Sequence, residues 1–556
     1  MRKIWIFAGL CVALLVGGFA FWKNANLEKK QARPIEGAST QVISWDLNFV
    51  PAPVDGKLSS NPFLAAEANG TMHGDGGQSD THPAAGPFGG DLERRSRQAG
   101  NGLPRQCSTF VYRSDGKPVV MCGGLAGFRM VLLDPETLEA LAYFDLPIRP
   151  SSFEAFVKRD MGIMMNDSSG GAYMFLDNKD RLVFANSQWV VQRLVATQKG
   201  GKWEFAVEKQ WDLKPHVPHD CLNWNNWFPK GECDKITTVM PDHQGLYWWT
   251  TRKGRLGTLD PESGKVSVFR LNGEEIQNAL AMDSRAVYVL SDHAQYAFAT
   301  GKDGKPVQLW RSAYDRGTKR KVGSINQGSG TTPTLLGDNW ITFADNANGR
   351  INIVVLRRSD GSRICAEPVF QDGASATDNS MIGWGRSIIL ENNAGFTSAY
   401  EQKDWNAVAG GVVRVDVNAD ESGCETVWTS PLKVPSVVPK LSAANGIAYF
   451  YSFDLARNVD GKLTQDWSIV GLDFQTGNQV IKIPTGRGRK FDNNWASMSI
   501  APNGDFYAGM TGGLLQVRRK RKERSEIIAG TSRDENRAVD KAGIVRGQVG
   551  NRRGDL

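Results

Sequence analysis

Two of the six histidines in this chain of 556 residues fall in one short run, NGTMHGDGGQSDTHPAAGPFGG (residues 69–90), with Asp75 and Asp80 between His73 and His82. Imidazole titrates near neutral pH and binds metals, so His73 with Asp75 is a candidate general base or metal-ligand pair. A run this rich in Gly shows no strand pattern and cannot build a core. It is expected on a surface, either as a lid over a binding site or as a flexible linker.

Further polar clusters interrupt apolar runs. They are Asn166 with Asp167 in GIMMNDSSGGAYMFL, Asp292 with His293 in AVYVLSDHAQYAF, Asp345 with Asn346 in NWITFADNANGRINIVVL, and Glu391 with Asn392 and Asn393 in SIILENNAGF. Asp and Asn form turns by bonding their own backbone, and that is the competing account of each pair. Glu forms turns poorly, and a Glu with neighbouring amides supplies the hard oxygens that Ca²⁺ takes in groups of six to eight. Asp345, Asn346, Glu391 and Asn392 are therefore the candidate calcium ligands. Asn166, Asp167, Asp292, Asp378, Lys440, Asp492 and Asn493 are candidate ligand-binding groups, and His73 or His293 would move a proton.

A repeat positions these groups. From Cys107 onward, apolar runs alternate with turns, and the clearest unit is a hairpin such as GTLDPESGKVSVF or VGLDFQTGNQVIKI, with apolar residues on either side of a Gly- or Asp-rich turn. One full unit, TPTLLGDNWITFADNANGRINIVVLRRSDGSRICAEPVF, divides into four strands over about 40 residues, the size of a propeller blade. Eight such starts are found, so the expected fold is all-β: a single propeller of eight four-stranded blades. Seven is the alternative, because insertions at residues 187–218 and 393–411 blur two units. The last unit supplies three strands. The orphan strand TQVISWDLNFVP (residues 40–51) is expected to complete it, because an open blade would expose an edge. In such a ring the inner strands line a channel, and the loops after the second strands share one face with the connections between blades. The polar clusters fall on that face.

The hairpins LDFQTGNQVIKI and LDPESGKVSVF resemble the blade motif of the quinoprotein alcohol dehydrogenase-like propellers, in which an Asp, a Thr-Gly or Ser-Gly turn and a large apolar residue recur. The resemblance covers residues 107–517 at the level of repeat pattern. It implies a propeller, a channel-mouth site and, in several such families, a calcium ion held by Glu, Asn and Asp. The family motif ends in a Trp that docks on the next blade, matched here by Trp428 alone, and many members place an adjacent Cys pair over the quinone, absent here. Both departures count against pyrroloquinoline quinone as the cofactor.

Outside the repeats, residues 4–22 hold no charge, a length that can just span a hydrocarbon core, and no clean signal-peptidase site follows before Lys23. This predicts an uncleaved signal anchor, a transmembrane helix within residues 1–30. Of seven cysteines, Cys11 lies in that run. The remaining six are spaced as Cys107 with Cys122, Cys221 with Cys233, and Cys365 with Cys424. Local disulfides suit the first two pairs, and the third would span more than a blade; together they point to an oxidising, periplasmic or extracellular compartment. From Arg518 the tail carries 12 Lys/Arg against 6 Asp/Glu, so it supplies most of the net charge of +7. A near-neutral body argues against nucleic acid as the partner.

The expected order is an anchor at 1–30, a strand and Gly-rich lid or linker at 31–106, a propeller at 107–518 and a disordered basic tail at 519–556. No G-x-S-x-G elbow, P-loop or H-E-x-x-H is present. The leading functional expectation is a membrane-anchored extracytoplasmic propeller that binds a small molecule or partner protein at its channel mouth, with calcium as a candidate cofactor. The alternatives are an enzyme on the same face, either a quinoprotein-like oxidoreductase or a metal-assisted lactonase, and an envelope scaffold.

Overall fold

The structure is a computed structural model that describes Gly18 and residues 31–100, 105–124, 127–160 and 162–520. The expected anchor and nearly all of the basic tail lie outside the described residues. Among the described residues no helix is long and apolar enough to cross a membrane.

The described residues form eight sheets, each built on four antiparallel strands. Blade 1 comprises Gln106–Tyr112, Pro118–Gly124, Gly127–Leu133 and Ala140–Asp145. Blade 2 follows with Phe175–Leu176, Leu182–Ala185, Val190–Lys199 and Lys202–Asp212. Blades 3 to 6 repeat the order from Ile236–Pro241, Ala281–Met282, Thr334–Leu336 and Ile382–Trp384 as inner strands. Blade 7 begins at Lys440–Ser442 and blade 8 at Met498–Ile500. Sheet stacks on sheet, so the middle strands are covered on both faces and read as continuous apolar runs. Tyr247–Thr251 and Val412–Val417, for example, are buried at every position.

The ring closes differently from the sequence expectation. Leu92–Gln98, not the strand near residue 44, is the outer strand of blade 8, paired from Leu92 with Arg519 to Gln98 with Gly513. Ser44–Trp45 instead adds to the outer edge of blade 7, opposite Lys482 and Ile481. The segment LERRSRQ hides its strand character because an outer strand needs little apolar alternation. Its charges are held at the rim, with Glu93 accepting from Arg518 at 2.5 Å and Arg94 donating to Pro484 O at 2.6 Å.

Two tryptophans lock neighbouring blades. Trp310 of blade 4 lies over Gly361 in the outer hairpin of blade 5, where a Cβ would come within 2.6 Å of the ring, and donates to Arg358 O at 2.9 Å. Trp428 of blade 6 covers Gly477 in the same way and donates to Phe474 O at 3.0 Å. Both glycines have φ near +74°, so the turn and the docked ring require Gly together. All three cysteine pairs are disulfides, and Cys365–Cys424 joins the outer strands of blades 5 and 6.

The Gly-rich run is neither a surface lid nor a linker. It threads the channel as a plug, with His73, Asp75, Asp80 and His82 all buried. Inner strands of a propeller present unpaired N–H groups to the channel, and the plug's carbonyls satisfy them blade by blade. Tyr112 N donates to Asn69 O, Leu176 N to Gly70 O, Met282 N to Gly76 O, Leu335 N to Gly77 O, Gly383 N to Ser79 O and Leu441 N to Asp80 O, at 2.8–3.1 Å. Thr81–His82 pairs in parallel with the inner strand of blade 7, and Asn61 reaches blade 3 through Pro241 O at 2.7 Å. Glycine is what allows this approach: a Cβ on Gly77 would stand 2.8 Å from Ser59 Cβ.

Candidate functional site

Because the plug fills one end of the channel, the other end is blind. On the face that carries the blade connections, a cavity of about 220 Å³ opens, with Met72 and His73 among the residues that line it. The blade 1–blade 2 connection contributes Arg149, Asn166 and Asp167 to its wall, and Tyr173 follows from the start of blade 2. Gln277 and Asn278 come from the blade 3–blade 4 connection, and Thr332, Asp378, Asn379 and Trp495 from later ones.

His73 is held from behind. Its Nδ1 stands 3.1 Å from both carboxylate oxygens of Asp80, and its Nε2 is 3.2 Å from Thr332 Oγ1. Lys440, fully buried, donates to the same Asp80 carboxylate and to Met72 O at 2.9 Å. Burial opposes ionisation of Asp80, but Lys440 and His73 outweigh it and hold its carboxyl below the usual range. An ionised Asp80 accepts, so Nδ1 is the donor and Nε2 faces the Thr332 hydroxyl. That order, hydroxyl to imidazole to carboxylate, is one that can carry a proton. His82, two residues beyond Asp80, is buried where the run pairs with Ser442 of blade 7. Burial, aided by the Lys440 charge, drives its imidazole down to about 3.

On the wall, Asp378 takes the Gln277 amide at 3.2–3.3 Å, and burial pushes its carboxyl up to about 7. Asp167 is tied to Ser151, to Ser169 N at 2.9 Å and to Lys235 at 2.9 Å. Burial works against its charge, and Lys235 and Arg149 outweigh burial and keep the carboxyl low. Behind the wall, Glu391 is fully buried, neither carboxylate oxygen has a hydrogen-bond partner, and burial pushes it well above the usual range. Both side-chain polar atoms of Asn379, on the wall, are likewise unpartnered.

Of the residues singled out by sequence, the structure thus brings together His73, Asn166, Asp167, Asp378, Lys440 and Glu391. The others are placed elsewhere. Asp75 turns away from His73 and caps Ser59 N and Ser79 N at 2.7 and 2.8 Å. Asp292 and His293 form a peripheral set with Arg316, at 2.6–2.8 Å. Asp345 receives Asn352 N, Asn352 Nδ2 and Ala347 N, a turn, while Asn346 pins the carbonyls of Arg316, Lys319 and Gln327. Asn392 bridges Ala374 O and Gly410 O, and Asn493 donates to Gly509 O. Asp492, with burial pushing it up to about 8, does not line the cavity. Among the described residues no group of three or more His, Cys, Asp or Glu could hold a metal ion. Sequence reasoning missed Asp80 as the partner of His73, and it missed Thr332, Tyr173 and Trp495. The GSGTTP run before an inner strand was the signal for Thr332.

No family model matches the chain. A protein of Archaeoglobus fulgidus, described as uncharacterized, is 24% identical over 323 residues, 51% of this chain and 61% of that protein. The chain thus spans about three fifths of the length of that relative. Among solved structures, quinohemoprotein alcohol dehydrogenase from Comamonas testosteroni superposes with a TM-score of 0.52 at 11% identity, over 82% of each chain. BamB from Moraxella catarrhalis aligns at 14% identity with a TM-score of 0.37, over 61% of this chain and 94% of that one. The likeness to the quinohemoprotein bears out the fold-level resemblance, and fold alone does not carry activity. The chain is an eight-bladed, disulfide-bonded propeller with a quinoprotein-like neighbour.

Proposed function

We propose that the chain is a membrane-anchored, extracytoplasmic propeller whose blind axial cavity binds a small organic molecule, neutral or cationic. The observation that carries this reading is the cavity floor: His73, fixed by Asp80 and Lys440, faces into a space closed below by the plug. The lining favours the ligand class. Asp167 is spent on Lys235 and Arg149 on Asp167 O and the Phe128 ring, which leaves Asp378 and Glu401 as the carboxyls of the lining, while Tyr173, Tyr400 and Trp495 offer aromatic faces. A tricarboxylate such as pyrroloquinoline quinone would meet like charge there, so these residues do not fit it. The three disulfides support the oxidising compartment, and the uncharged run at residues 4–22 supports the anchor. The place open to calcium is the unpartnered Glu391 with Asn379, two donors against the six to eight that Ca²⁺ takes, so binding is expected to survive a chelator.

A second reading has a specific observation behind it, the Thr332–His73–Asp80 alignment. An enzyme on this site would use His73 Nε2 to take a proton from the Thr332 hydroxyl or from a bound ligand. One experiment addresses both readings. Native mass spectrometry of the detergent-solubilised full chain should show a small-molecule adduct in the wild type that is lost when Ser168→Trp fills the cavity wall. No adduct in either protein, together with no thermal shift from organic cations, would remove the binding reading. If the chain turns its ligand over, His73→Gln should retain a mass that the wild type does not carry.

A further inference from the structure

The face that bears the cavity mouth also bears a patch of exposed aromatic residues. It sits where the blade 1–blade 2 and blade 2–blade 3 connections meet. Pro150–Lys158 is a helix of nine residues, started by Pro150 and stopped by Arg159 in the left-handed region at φ 54°. Its Phe153 is buried and packs against Trp224, tilted, and Trp227, edge to face, with ring centres 4.5 and 5.0 Å away. The two tryptophans belong to the loop closed by Cys221–Cys233, so backbone and rings are fixed by a disulfide and a buried anchor rather than by a hydrophobic core. Yet Trp224 is 61% exposed, Trp227 51%, Phe228 85% and Phe156 71%. An apolar surface held rigid and left in water marks an interface.

Two observations say what covers it. First, the described chain enters the fold on this same face. Arg33 O accepts from Gln98 N at 2.7 Å and the Ile35 side chain packs beside Gly512, which lies in the mouth-side turn of blade 8. Blade 8 adjoins blade 1, and fewer than a dozen residues separate Arg33 from the uncharged run that ends at Trp22. Second, the exposed cations of these connections include Arg159 and Lys230 beside the patch and Lys319 and Arg320 across the mouth, in the blade 4–blade 5 connection. Of the acids nearby, Glu154 pairs with Lys158 at 2.5 Å, Asp220 accepts from the amides of Lys230 and Gly231, and Asp160, next to Arg159, accepts from Gly162 N at 2.9 Å. Aromatic rings with flanking basic residues are what the headgroup region of an anionic bilayer accepts.

We propose that the mouth face docks flat on the bilayer that anchors the chain, with Phe156, Trp224, Trp227 and Phe228 seated in the headgroup region. The cavity then opens toward the membrane surface, and its ligand arrives from there. This rests on the anchored reading above. The test uses the full chain reconstituted into phosphatidylcholine–phosphatidylglycerol vesicles, with and without brominated acyl chains, comparing wild type with W224F/W227F. Bromolipid should quench Trp5 and Trp22 of the uncharged run in both proteins. The quenched amplitude should be larger in the wild type by the contribution of the two patch tryptophans. Equal amplitudes in the two proteins would overturn the docking while leaving the anchor standing, and would turn the patch over to a protein partner. Absence of quenching in both would overturn anchor and docking together. The conservative Phe replacements keep the packing on Phe153, so loss of fold does not enter the comparison.

Discussion

His73 and Lys440 share one carboxylate: the imidazole Nδ1 stands 3.1 Å from both oxygens of Asp80, the Lys440 ammonium donates to Oδ1 of the same pair, and all three groups are buried. Burying three ionisable groups is costly unless each is compensated, and here each compensates another. Lys440→Met should therefore cost about 3–5 kcal/mol, since it strands Asp80 beside a single imidazole. The double variant Lys440→Met/Asp80→Asn should lose less than the sum of the singles, because no uncompensated charge remains. Urea unfolding of the four proteins of that cycle measures the coupling. Additive losses would show that Asp80 and Lys440 do not act as a pair.

The plug makes a second claim that can be measured. Gly77 lies between Ser59 and Leu335, with a Cβ placed 2.8 and 3.2 Å from their Cβ atoms, and its carbonyl takes Leu335 N at 2.8 Å. Gly77→Ala should destabilise by about 1–3 kcal/mol through overpacking. Hydrogen exchange should report where the strain goes: the Leu335 amide should exchange faster, while amides of the outer strands of blade 5 keep their protection. A uniform loss of protection would argue that the plug is not locally coupled to blade 5.

These two cases also show what sequence can and cannot carry. The blades were legible because a four-stranded unit repeats its Asp- and Gly-rich hairpin, and the sandwiching of sheets makes its middle strands uniformly apolar. The plug was not, because its order comes from hydrogen bonds to the inner strands of six separate blades and leaves no period in its own residues. The closing strand Leu92–Gln98 was missed for a related reason: at the rim, Arg and Glu can take positions an inner strand would fill with Val. Among the site residues, Asp345 and Glu391 part company by one methylene. The shorter Asp345 reaches back to Asn352 N at 2.7 Å and Ala347 N at 3.1 Å and is a turn. Glu391 does not do so: its carboxyl is fully buried and makes no turn, which is why the shared polar pattern of the two clusters does not carry one structural meaning.

The pH dependence of stability should have two opposed limbs. Asp492 titrates near 3.8 when unfolded and is pushed up to about 8 by burial in the fold, so between those values the folded state holds the extra proton. Stability contributed by that proton is full below about 4 and is lost as pH rises toward 8. His82 runs the other way: lowered from 6.5 to about 3 by burial, it lets the unfolded chain bind the extra proton, so its contribution is present above 6.5 and is lost as pH falls toward 3. Thermal melts across pH 3–9 should show Asp492→Asn flattening the alkaline limb and His82→Gln flattening the acid one. An alkaline limb unchanged in Asp492→Asn would mean that carboxyl is ionised in the fold.

The disulfides differ in what they close. Cys221–Cys233 ties a loop of separation 12 that carries the aromatic patch, whereas Cys365–Cys424 spans a separation of 59 and staples the outer strands of two successive blades. If cross-links act mainly by restricting the unfolded chain, the long loop gains roughly 4 kcal/mol and the short one about 3 kcal/mol. Cys365→Ser/Cys424→Ser should then lower the melting temperature of the whole propeller, since blades 5 and 6 melt with the ring. Cys221→Ser/Cys233→Ser should lower it less, but it should free the patch: limited proteolysis should cut between residues 222 and 232 in this variant and leave wild type intact there. Equal thermal losses with no new cleavage would mean that the short disulfide serves the fold and not the presentation of Trp224 and Trp227.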